Sequence, residues 1–251
     1  MELGLRGKGV IVTGASKGIG RAIALGFAAE GANLAICARG AEALAKTAAE
    51  LQARGAKVHA TPCDVGDPQA LAAFLEASRQ ALGRIHVLVN NPSGFGLTDD
   101  EAGWAAGWSV DVMATVRATA KVTPWIEEAG GGSVIHVSSI SGLEAGSPPA
   151  YAAVKAALVS HAKTMAAQLA PKGIRVNCVA PGSIEVPGGF WEMIRGANPA
   201  MYEGIRAAIP FGRLGTPEEV ANAVVFLASE RASWIAGVTL AVDGVQHKGN
   251  L

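Results

Sequence analysis

The chain has 251 residues, of which 50% are hydrophobic and 32 are glycine, so it can bury one large core. Its 21 basic and 21 acidic residues cancel, which leaves no net charge to attract nucleic acid or an anionic membrane. No apolar run of the sequence approaches the roughly 18 residues of a membrane-spanning helix. We therefore expect one domain over residues 1–251 with a small-molecule substrate, and neither a nucleic-acid nor a membrane partner.

The cysteines and the first residues bear on the compartment. Cys37, Cys63 and Cys178 sit at or beside apolar runs without metal-ligand spacing, which is typical of buried, reduced thiols. No pair of histidines has metal-site spacing either. The segment Met1–Arg6 lacks the apolar stretch of a signal peptide. We expect a cytoplasmic protein without a bound metal.

A glycine-rich turn lies near the start of the chain. The apolar run Gly9–Val12 leads into Thr13–Gly20, and a helical pattern follows over residues 21–29. Glycines let a phosphate approach the backbone closely, and the free amides and positive dipole end of the helix attract its oxygens. The pattern predicts a phosphate-binding turn; alternatively, it is a plain connection, because such turns also join strands to helices without binding anything.

Short apolar runs alternate with helical patterns along the rest of the chain. Together with the first strand they predict seven strands, the later ones being Asn33–Cys37, Lys57–Pro62, His86–Asn90, Ser133–Ser138, Ile174–Val179 and Thr239–Val242. Right-handed crossovers return each strand to the same sheet. The alternation therefore predicts an α/β fold of the Rossmann type: a doubly wound sheet of about seven parallel strands with helices on both faces.

Two polar residues lie four positions apart on the helical pattern after the fifth strand. Tyr151 and Lys155 fall on one face of that helix, where the lysine ammonium favours the phenolate form of the tyrosine. Such a tyrosine can exchange a proton near neutral pH. Alternatively, the pair is an ordinary half-buried tyrosine beside a solvated lysine. Upstream, the fifth strand leads into Ser139, which presents a hydroxyl at the sheet edge where ligands collect.

The order of these features resembles the short-chain dehydrogenase/reductase family over nearly the whole chain. Further matching segments are Asp64-Val65, Asn90-Asn91, Pro181-Gly182 and Val242-Asp243-Gly244. The overall pattern, which includes residues 210–219, is most similar to 3-oxoacyl-(acyl-carrier-protein) reductase-like members. The resemblance implies an oxidoreductase that interconverts a ketone and a secondary alcohol with a nicotinamide cofactor, and a homo-oligomer, either a tetramer or a dimer.

The resemblance also assigns roles to single residues. Tyr151 is the expected general acid/base, Lys155 supports it, and Ser139 hydrogen-bonds the reacting oxygen. We choose Ser139 over Ser138 because its spacing to Gly142 matches the family's, and strand alternation points Ser138 to the other side. The residues expected to bind the cofactor are Gly14, Ser16, Lys17, Gly18, Ile19, Gly20, Arg39, Asp64, Val65, Asn91, Tyr151, Lys155, Pro181, Gly182 and Ile184.

The end of the second strand predicts the choice of cofactor. An acidic residue there would accept hydrogen bonds from the ribose 2′-hydroxyl of NAD, but the chain reads Cys37-Ala38-Arg39. Arg39 can pair with a 2′-phosphate through its planar fork, and Lys17 can add charge. We therefore expect NADP(H) to be favoured over NAD(H). Alternatively, both residues are ordinary solvated cations.

Three positions depart from the family pattern. Asp111 stands where the family usually has an asparagine that helps hold a water in a proton relay to the lysine. We count Asp111 among the catalytic residues, since an ionised carboxylate near Lys155 would stabilise the ammonium and partly cancel its field at the tyrosine. Alternatively, it merely replaces the amide. Val186 cannot make the hydrogen bond of the family's usual threonine, and Pro92 removes an amide beside Asn91.

The segment at about 183–212 is the expected substrate lid. Its stretch 187–194 combines glycines with the bulky side chains of Phe190, Trp191 and Met193, and Phe95 could add to the same apolar wall. The lid shows no cluster of basic residues, which favours a neutral or thioester-linked ketone. Alternatively, the bulky side chains simply pack the lid helix onto the body.

Two other functions stay open at this point. One is an NAD-linked alcohol or diol dehydrogenase, which cofactor preference and reaction direction would distinguish. The other is a catalytically weak NADPH-binding regulator, motivated by Asp111, Val186 and the altered segment Asn91-Pro92-Ser93. Tight NADPH binding without turnover of any carbonyl would indicate the regulator.

Overall fold

A computed structural model of the chain describes residues 2–249. Seven strands form one sheet: β1 (Gly9–Thr13), β2 (Asn33–Ala38), β3 (Val58–Pro62), β4 (Val87–Asn90), β5 (Gly132–Val137), β6 (Ile174–Pro181) and β7 (Thr239–Val242). All strand pairs are parallel, in the order β3-β2-β1-β4-β5-β6-β7. The predicted α/β fold and its seven parallel strands are confirmed, with strand ends that differ by up to two residues.

Nine α-helices cross between the strands in the described part of the chain. They are α1 (Gly18–Ala29), α2 (Ala41–Ala53), α3 (Pro68–Leu82), α4 (Glu101–Gly107), α5 (Ala114–Glu128), α6 (Pro149–Leu169), α7 (Phe190–Ala197), α8 (Pro199–Ala208) and α9 (Pro217–Ala228). A π-helical stretch, Trp108–Met113, joins α4 to α5. Such stretches are rare and often lie at functional sites, and this one contains Asp111.

The sheet has a hydrophobic core on each face, because successive strand residues point to opposite sides. On β1, Val10 and Val12 belong to one core with Phe27 of α1, while Ile11 belongs to the other with Phe74 of α3. Helices α1, α2 and α9 line the first face, and α3, α5 and α6 line the second. Packing against the two cores fixes the position of every strand along the sheet, and therefore where the carboxyl edge of the sheet lies.

The strand order places a crevice at the carboxyl edge of the sheet. The chain leaves β1 toward β2 and β3 on one side, then returns to β4 on the other side. The loops that follow β1 and β4 diverge at this switch point, where open α/β sheets bind ligands. The predicted cofactor and catalytic residues all follow strand ends at this edge or lie on adjoining helices.

Residues 2–249 contain no helix that combines the length and apolar content needed to cross a membrane. Within the same range, no group of three histidine, cysteine or acidic side chains is arranged to hold a metal ion. The three cysteines are buried and free.

Candidate active site

The turn after β1 has the shape that a pyrophosphate requires. Gly18 has φ of +53°, a left-handed conformation that residues with a Cβ rarely adopt. A Cβ on Gly20 would collide with the carbonyl of Gly14, so only glycine allows the turn to pack against the start of α1. The first turn of α1 contains no acidic residue, and within the described chain the Lys17 side chain makes no capping hydrogen bond. The amides of α1 therefore remain available for an anion, and the turn fits the phosphates of the predicted cofactor.

The ends of β2 and β3 lie beside this turn. The Ala15 amide donates to the Cys37 carbonyl at 3.0 Å, which joins the turn to the end of β2. Arg39 follows β2 and is exposed. After β3, Asp64 is exposed while Val65 is buried, and an Asp64 oxygen accepts a hydrogen bond from the Gly66 amide at 2.9 Å. The predicted adenosine-binding residues therefore share one end of the crevice.

The two asparagines after β4 brace different parts of the fold. Asn91 donates from its side chain to the carbonyls of Thr13 and Gly14, at 3.3 and 2.9 Å, so its amide nitrogen holds the glycine turn in place. Asn90 donates to the Thr119 hydroxyl at 3.3 Å and lies 3.2 Å from Nδ1 of His136. Asn91 thus shapes the cofactor turn through its side chain, and Asn90 ties β4 to α5 and β5.

A buried ion pair lies beneath the predicted catalytic tyrosine. Lys155 Nζ lies 2.8 Å from Asp111 Oδ1 and 5.6 Å from the centre of the Tyr151 ring. The side chains of Lys155 and Asp111 are 3% and 0% exposed. Lys155 also donates to the Val137 carbonyl at 3.3 Å, which anchors α6 to the end of β5. The structure therefore brings Tyr151, Lys155 and Asp111 together.

The charge on Lys155 results from two opposing effects. Burial lowers the pKa of Lys155, because desolvation disfavours the ammonium. The negative charge of Asp111, assisted by that of Tyr151, more than offsets this, and the pKa is raised above its ordinary value. Lys155 is therefore a permanent cation at neutral pH, placed where it can attract a phenolate.

The second oxygen of Asp111 fixes the loop after β4. Asp111 Oδ2 accepts a hydrogen bond from the Gly94 amide at 2.7 Å. The loop continues to Phe95, which is 60% exposed and has φ of +48°. Asp111 therefore connects the lysine to the loop that carries Phe95. The residue pattern gave no sign of this role for Gly94, since a backbone amide leaves no signal in residue type.

The two serines after β5 have different partners. Ser138 is buried, and its hydroxyl donates to the Lys155 carbonyl at 2.7 Å, so it faces α6. Ser139 Oγ accepts from the Ser141 amide at 3.1 Å, which leaves its own proton free to be donated elsewhere. The Ser141 hydroxyl in turn accepts from Ser147 at 2.7 Å. Several hydroxyl groups thus lie between β5 and the start of α6.

The loop after β6 closes the opposite wall of the crevice. Pro181 ends β6, and Ser183 and Ile184 after it are buried. Ile184 forms an isolated bridge with Gly215. Beyond it, Val186 lies against the glycine turn, within 3.1 Å of where a Gly18 side chain would begin. The loop predicted to contact the nicotinamide therefore approaches the phosphate turn.

The segment 183–212 folds into α7 and α8, which pack around a small core that also includes Leu214 just beyond the segment. Tyr202, Ile209 and Leu214 form that core, and Trp191 packs against it. Phe190 contacts Trp191 edge to face, with ring centres 5.2 Å apart. Phe190 is partly exposed and Met193 is 60% exposed. Trp191 therefore packs the segment internally, while Phe190 and Met193 leave apolar surface uncovered.

The comparisons with known proteins agree with this geometry. A family model described as "Enoyl-(Acyl carrier protein) reductase" matches residues 14–245. Isoepoxydon dehydrogenase of Penicillium expansum is 38% identical over 256 residues, covering 99% of this chain and 98% of that protein. The 3-oxoacyl-(acyl-carrier-protein) reductase of Thermotoga maritima is 37% identical over 249 residues, covering 96% and 98%.

Solved structures are similar over the same length. L-sorbose reductase from Gluconobacter frateurii, complexed with NADPH and L-sorbose, has a TM-score of 0.91 at 35% identity, covering 99% of this chain and 100% of that one. A 7α-hydroxysteroid dehydrogenase complexed with NADH and 7-oxo glycochenodeoxycholic acid has a TM-score of 0.90 at 33% identity, covering 97% and 95%. The chain belongs to the short-chain dehydrogenase/reductase family.

Proposed function

We propose that the protein interconverts a ketone and a secondary alcohol by hydride transfer with NADP(H), using Tyr151 as the general acid/base. The observation that carries this proposal is the buried Lys155–Asp111 ion pair, whose ammonium lies 5.6 Å from the Tyr151 ring centre. A buried cation at this place has a chemical use, because it stabilises the phenolate that the tyrosine becomes after giving up its proton.

Each side chain has one task in the reduction. When bound, the nicotinamide supplies a hydride to the carbonyl carbon of the substrate. Tyr151 gives its proton to the carbonyl oxygen, and Ser139 donates a hydrogen bond to that oxygen as negative charge develops on it. Lys155 stabilises the resulting phenolate until a proton returns. In the alcohol oxidation, Tyr151 takes the proton back.

Asp111 acts one step away from the reacting atoms. Its carboxylate keeps Lys155 protonated against the cost of burial and holds the Gly94 loop beside the site. The same charge partly cancels the attraction that Lys155 exerts on the Tyr151 phenolate. Asp111 therefore keeps Lys155 charged, at the cost of a weaker electrostatic attraction between Lys155 and the Tyr151 phenolate.

The preference for NADP(H) rests on Arg39 and Lys17. Both side chains are exposed at the adenosine end of the crevice, and no carboxylate stands directly after β2 to repel a 2′-phosphate. Arg39→Asp should lower kcat/KM for NADPH relative to NADH by about 30-fold, because a hydrogen-bonded charge pair is lost and a repulsion is gained. Steady-state kinetics with both cofactors measure the ratio, and Arg54→Asp on the exposed end of α2 is a control. An unchanged ratio would reject the cofactor assignment.

The substrate proposed for the site is a neutral or thioester-linked ketone, covered by the segment 183–212 as a lid. Exposed apolar surface on Phe190 and Met193 supports this, as does the exposed ring of Phe95 across the crevice. The only arginines of α7 and α8, both in the described segment, are paired with glutamates. Closing an apolar cover would exclude water from the transferred hydride.

We propose that the protein works in the cytoplasm as a homo-oligomer, a tetramer or a dimer. Its three buried, free cysteines suit a reducing compartment. Exposed apolar side chains near the edge strand β7, namely Trp234, Val238 and Leu240, support association, and Trp234 is 99% exposed. Sedimentation velocity of the wild type and of Trp234→Ser tests it: a single monomeric species at micromolar concentration would overturn this part.

The reaction is tested by following reduced-nicotinamide absorbance with NADPH and NADH against a panel of acetoacetyl thioesters, diketones, aryl ketones and steroid ketones. We expect turnover with NADPH that Tyr151→Phe lowers about a thousandfold, because the proton donor is removed. NADPH binding by the variant, measured by fluorescence, should stay within a factor of about three, since the ring remains.

Three outcomes would contradict the proposal or part of it. Equal turnover by wild type and Tyr151→Phe would exclude tyrosine as the acid. Tight NADPH binding without turnover of any ketone or alcohol would favour the regulator, and Asp111→Asn would then be the first variant tested for restored activity. A preference for NADH and for alcohol oxidation would favour the NAD-linked dehydrogenase. NADH is the cofactor in the complex of the similar 7α-hydroxysteroid dehydrogenase.

A further inference from the structure

The segment after β7, residues 243–248, contacts three loops that surround the active site. The Gly182 amide donates to the Val242 carbonyl at 3.0 Å, which begins the contact with the loop after β6. The Lys248 amide donates to Glu144 Oε2 at 3.2 Å, between the catalytic serine and tyrosine. Gly244 packs near Ile209 at the end of the lid. This C-terminal segment therefore joins parts of the site that are distant in sequence.

Gln246 makes the most specific of these contacts. Its Oε1 accepts from the Ser183 amide at 2.8 Å, and its Nε2 donates to the Ser183 hydroxyl at 2.9 Å. The oxygen and the nitrogen of the Gln246 carboxamide thus both hydrogen-bond to Ser183. A Cβ on Gly182 would lie 2.8 Å from Gln246 Oε1, so this close approach also requires glycine next to Ser183.

Ser183 is held from its other side as well. The Gly215 amide donates to the Ser183 carbonyl at 2.9 Å, and the Glu185 amide donates to the Gly215 carbonyl at 2.8 Å. The loop 182–185 is therefore fixed between Gly215 on one side and Gln246 on the other. The Gly215 contacts use only backbone atoms, so Gln246 supplies the side-chain part of the restraint.

The turn that presents Gln246 is strained. Val245 has φ of +66°, a left-handed conformation that is unfavourable for a β-branched residue. The Asp243 carboxylate holds the turn, because Oδ1 accepts from the Val245 amide at 3.0 Å and Oδ2 from the His247 amide at 2.9 Å. Strain of this kind persists only where the surrounding contacts impose it, which indicates that the position of Gln246 matters.

We propose that Gln246 is a positioning residue for the cofactor. It holds the loop 182–184 in the position where that loop contacts the nicotinamide end of the bound cofactor. The inference rests on the proposed function, since it assumes a nicotinamide in the crevice. It accounts for a departure in the sequence, because Val186 cannot hold the nicotinamide by a side-chain hydrogen bond. Another side chain must then restrain the loop, and Gln246 does so through its two hydrogen bonds to Ser183.

The experiment compares binding of the whole cofactor with binding of its adenosine half. Gln246→Met keeps the side-chain length and removes both hydrogen bonds, while Gln246→Glu keeps the acceptor for the Ser183 amide. Titrations without ketone give Kd for NADPH and for adenosine 2′,5′-bisphosphate, which lacks the nicotinamide. Gln52→Met on the exposed face of α2 is the matched control. Amide hydrogen exchange reports directly on Ser183.

We expect Gln246→Met to raise Kd for NADPH about tenfold and to leave Kd for the bisphosphate unchanged, because two hydrogen bonds are lost at the nicotinamide end only. Gln246→Glu should recover most of the affinity. Ser183→Ala added to Gln246→Met should weaken NADPH no further, since the hydroxyl contact is already gone. Exchange of the Ser183 amide should accelerate in Gln246→Met without cofactor.

Other results would overturn the inference. An unchanged Kd for NADPH shows that the loop does not need Gln246. An equal loss for NADPH and the bisphosphate shows general disruption rather than positioning. If the wild type reduces no ketone but Gln246→Met still loses NADPH affinity selectively, the proposed reaction fails while the role of Gln246 stands.

Discussion

The two walls of the candidate active-site crevice are built differently. On the wall formed by β5, α5 and α6, charged and polar side chains such as Asp111, Lys155 and His136 are almost fully buried. On the wall formed by the segment 183–212, the Arg195–Glu185 pair is 51% and 38% exposed, and large apolar side chains face outward. The first wall holds its polar groups in the protein interior, and the second holds them in water.

This difference in burial sets how far each wall tolerates substitution. A buried ion pair costs several kcal/mol of desolvation per ion, so it is retained only with close partners, and removing one partner is strongly destabilising. An exposed ion pair contributes about 0–1 kcal/mol and can be exchanged freely. The buried wall is therefore intolerant of change, whereas the segment 183–212 can vary its surface without unfolding the protein.

The largest expected effect comes from removing one partner of the buried pair. Asp111→Ala leaves the Lys155 ammonium buried without its counter-charge, and we expect the free energy of unfolding to fall by about 3 kcal/mol. Urea denaturation at pH 7 measures it. Asp111→Asn, which can still accept from the Gly94 amide, should cost less, because one hydrogen bond of the carboxylate survives.

Asp111→Asn also changes the pH dependence. Without the carboxylate, burial lowers the pKa of Lys155 unopposed by its main counter-charge, so the ammonium is lost at a lower pH as the pH rises. The alkaline limb of the kcat/KM profile should move to lower pH. A profile that matches the wild type would show that Asp111 merely replaces an amide, which is the alternative left open by the sequence.

An intermediate effect is expected from the buried histidine of the same wall. Burial, with the nearby charge of His161 as a second cause, lowers the pKa of His136 from 6.5 to about 3. His136 Nε2 lies 3.0 Å from His161 Nδ1, and Asn90 lies against its other nitrogen. Below pH 6.5 the His136 side chain binds a proton in the unfolded chain but not in the folded protein. Its contribution to the free energy of unfolding is therefore complete above pH 6.5 and is lost as the pH falls toward 3.

The comparison for that prediction is His136→Gln, which does not titrate. Between pH 6.5 and 5.5 the wild type should lose about 1 kcal/mol more unfolding free energy than the variant, by linkage. Urea denaturation at pH 7.5, 6.5 and 5.5 gives the two slopes. Parallel slopes would mean that His136 takes up a proton in the folded protein as readily as in the unfolded chain. Water would then reach this wall despite its burial.

The smallest effect is expected on the exposed wall. Arg195→Gln breaks the ion pair with Glu185, which joins α7 to the loop after β6, and should change the unfolding free energy by less than about 0.5 kcal/mol. KM for the ketone should still change by about two- to threefold, because the segment is less firmly attached. Arg206→Gln is the matched control, since its partner Glu203 lies within α8. A stability loss as large as that of Asp111→Ala would remove the distinction between the walls.

The sequence predicted the backbone of this protein well for a physical reason. Strand and helix periods, the glycine turn and the Tyr151–Lys155 spacing are local patterns, and parallel crossovers allow few arrangements of seven alternating units. Even the opposite directions of Ser138 and Ser139 follow from strand alternation, and the structure places Ser138 against α6.

Contacts between side chains and distant backbone atoms could not be predicted in the same way. The Gly94 amide bound by Asp111 and the Ser183 amide bound by Gln246 join positions 17 and 63 residues apart. Gln246 follows the seventh strand, so the sheet topology places it at the carboxyl edge, but no residue pattern marked it as part of the site. Which neighbour its carboxamide would reach depended on the strained turn at Val245, which no local pattern favours.

By itself, then, the sequence determined the fold and predicted which groups we propose to react, because both inferences depend on residue type and on spacing within one strand or helix. The tertiary structure decided how those groups are charged and held. Only packing buries Asp111 against Lys155, keeps His136 from solvent and brings Gln246 against the loop after β6, since burial and close contact are properties of the assembled layers rather than of any segment.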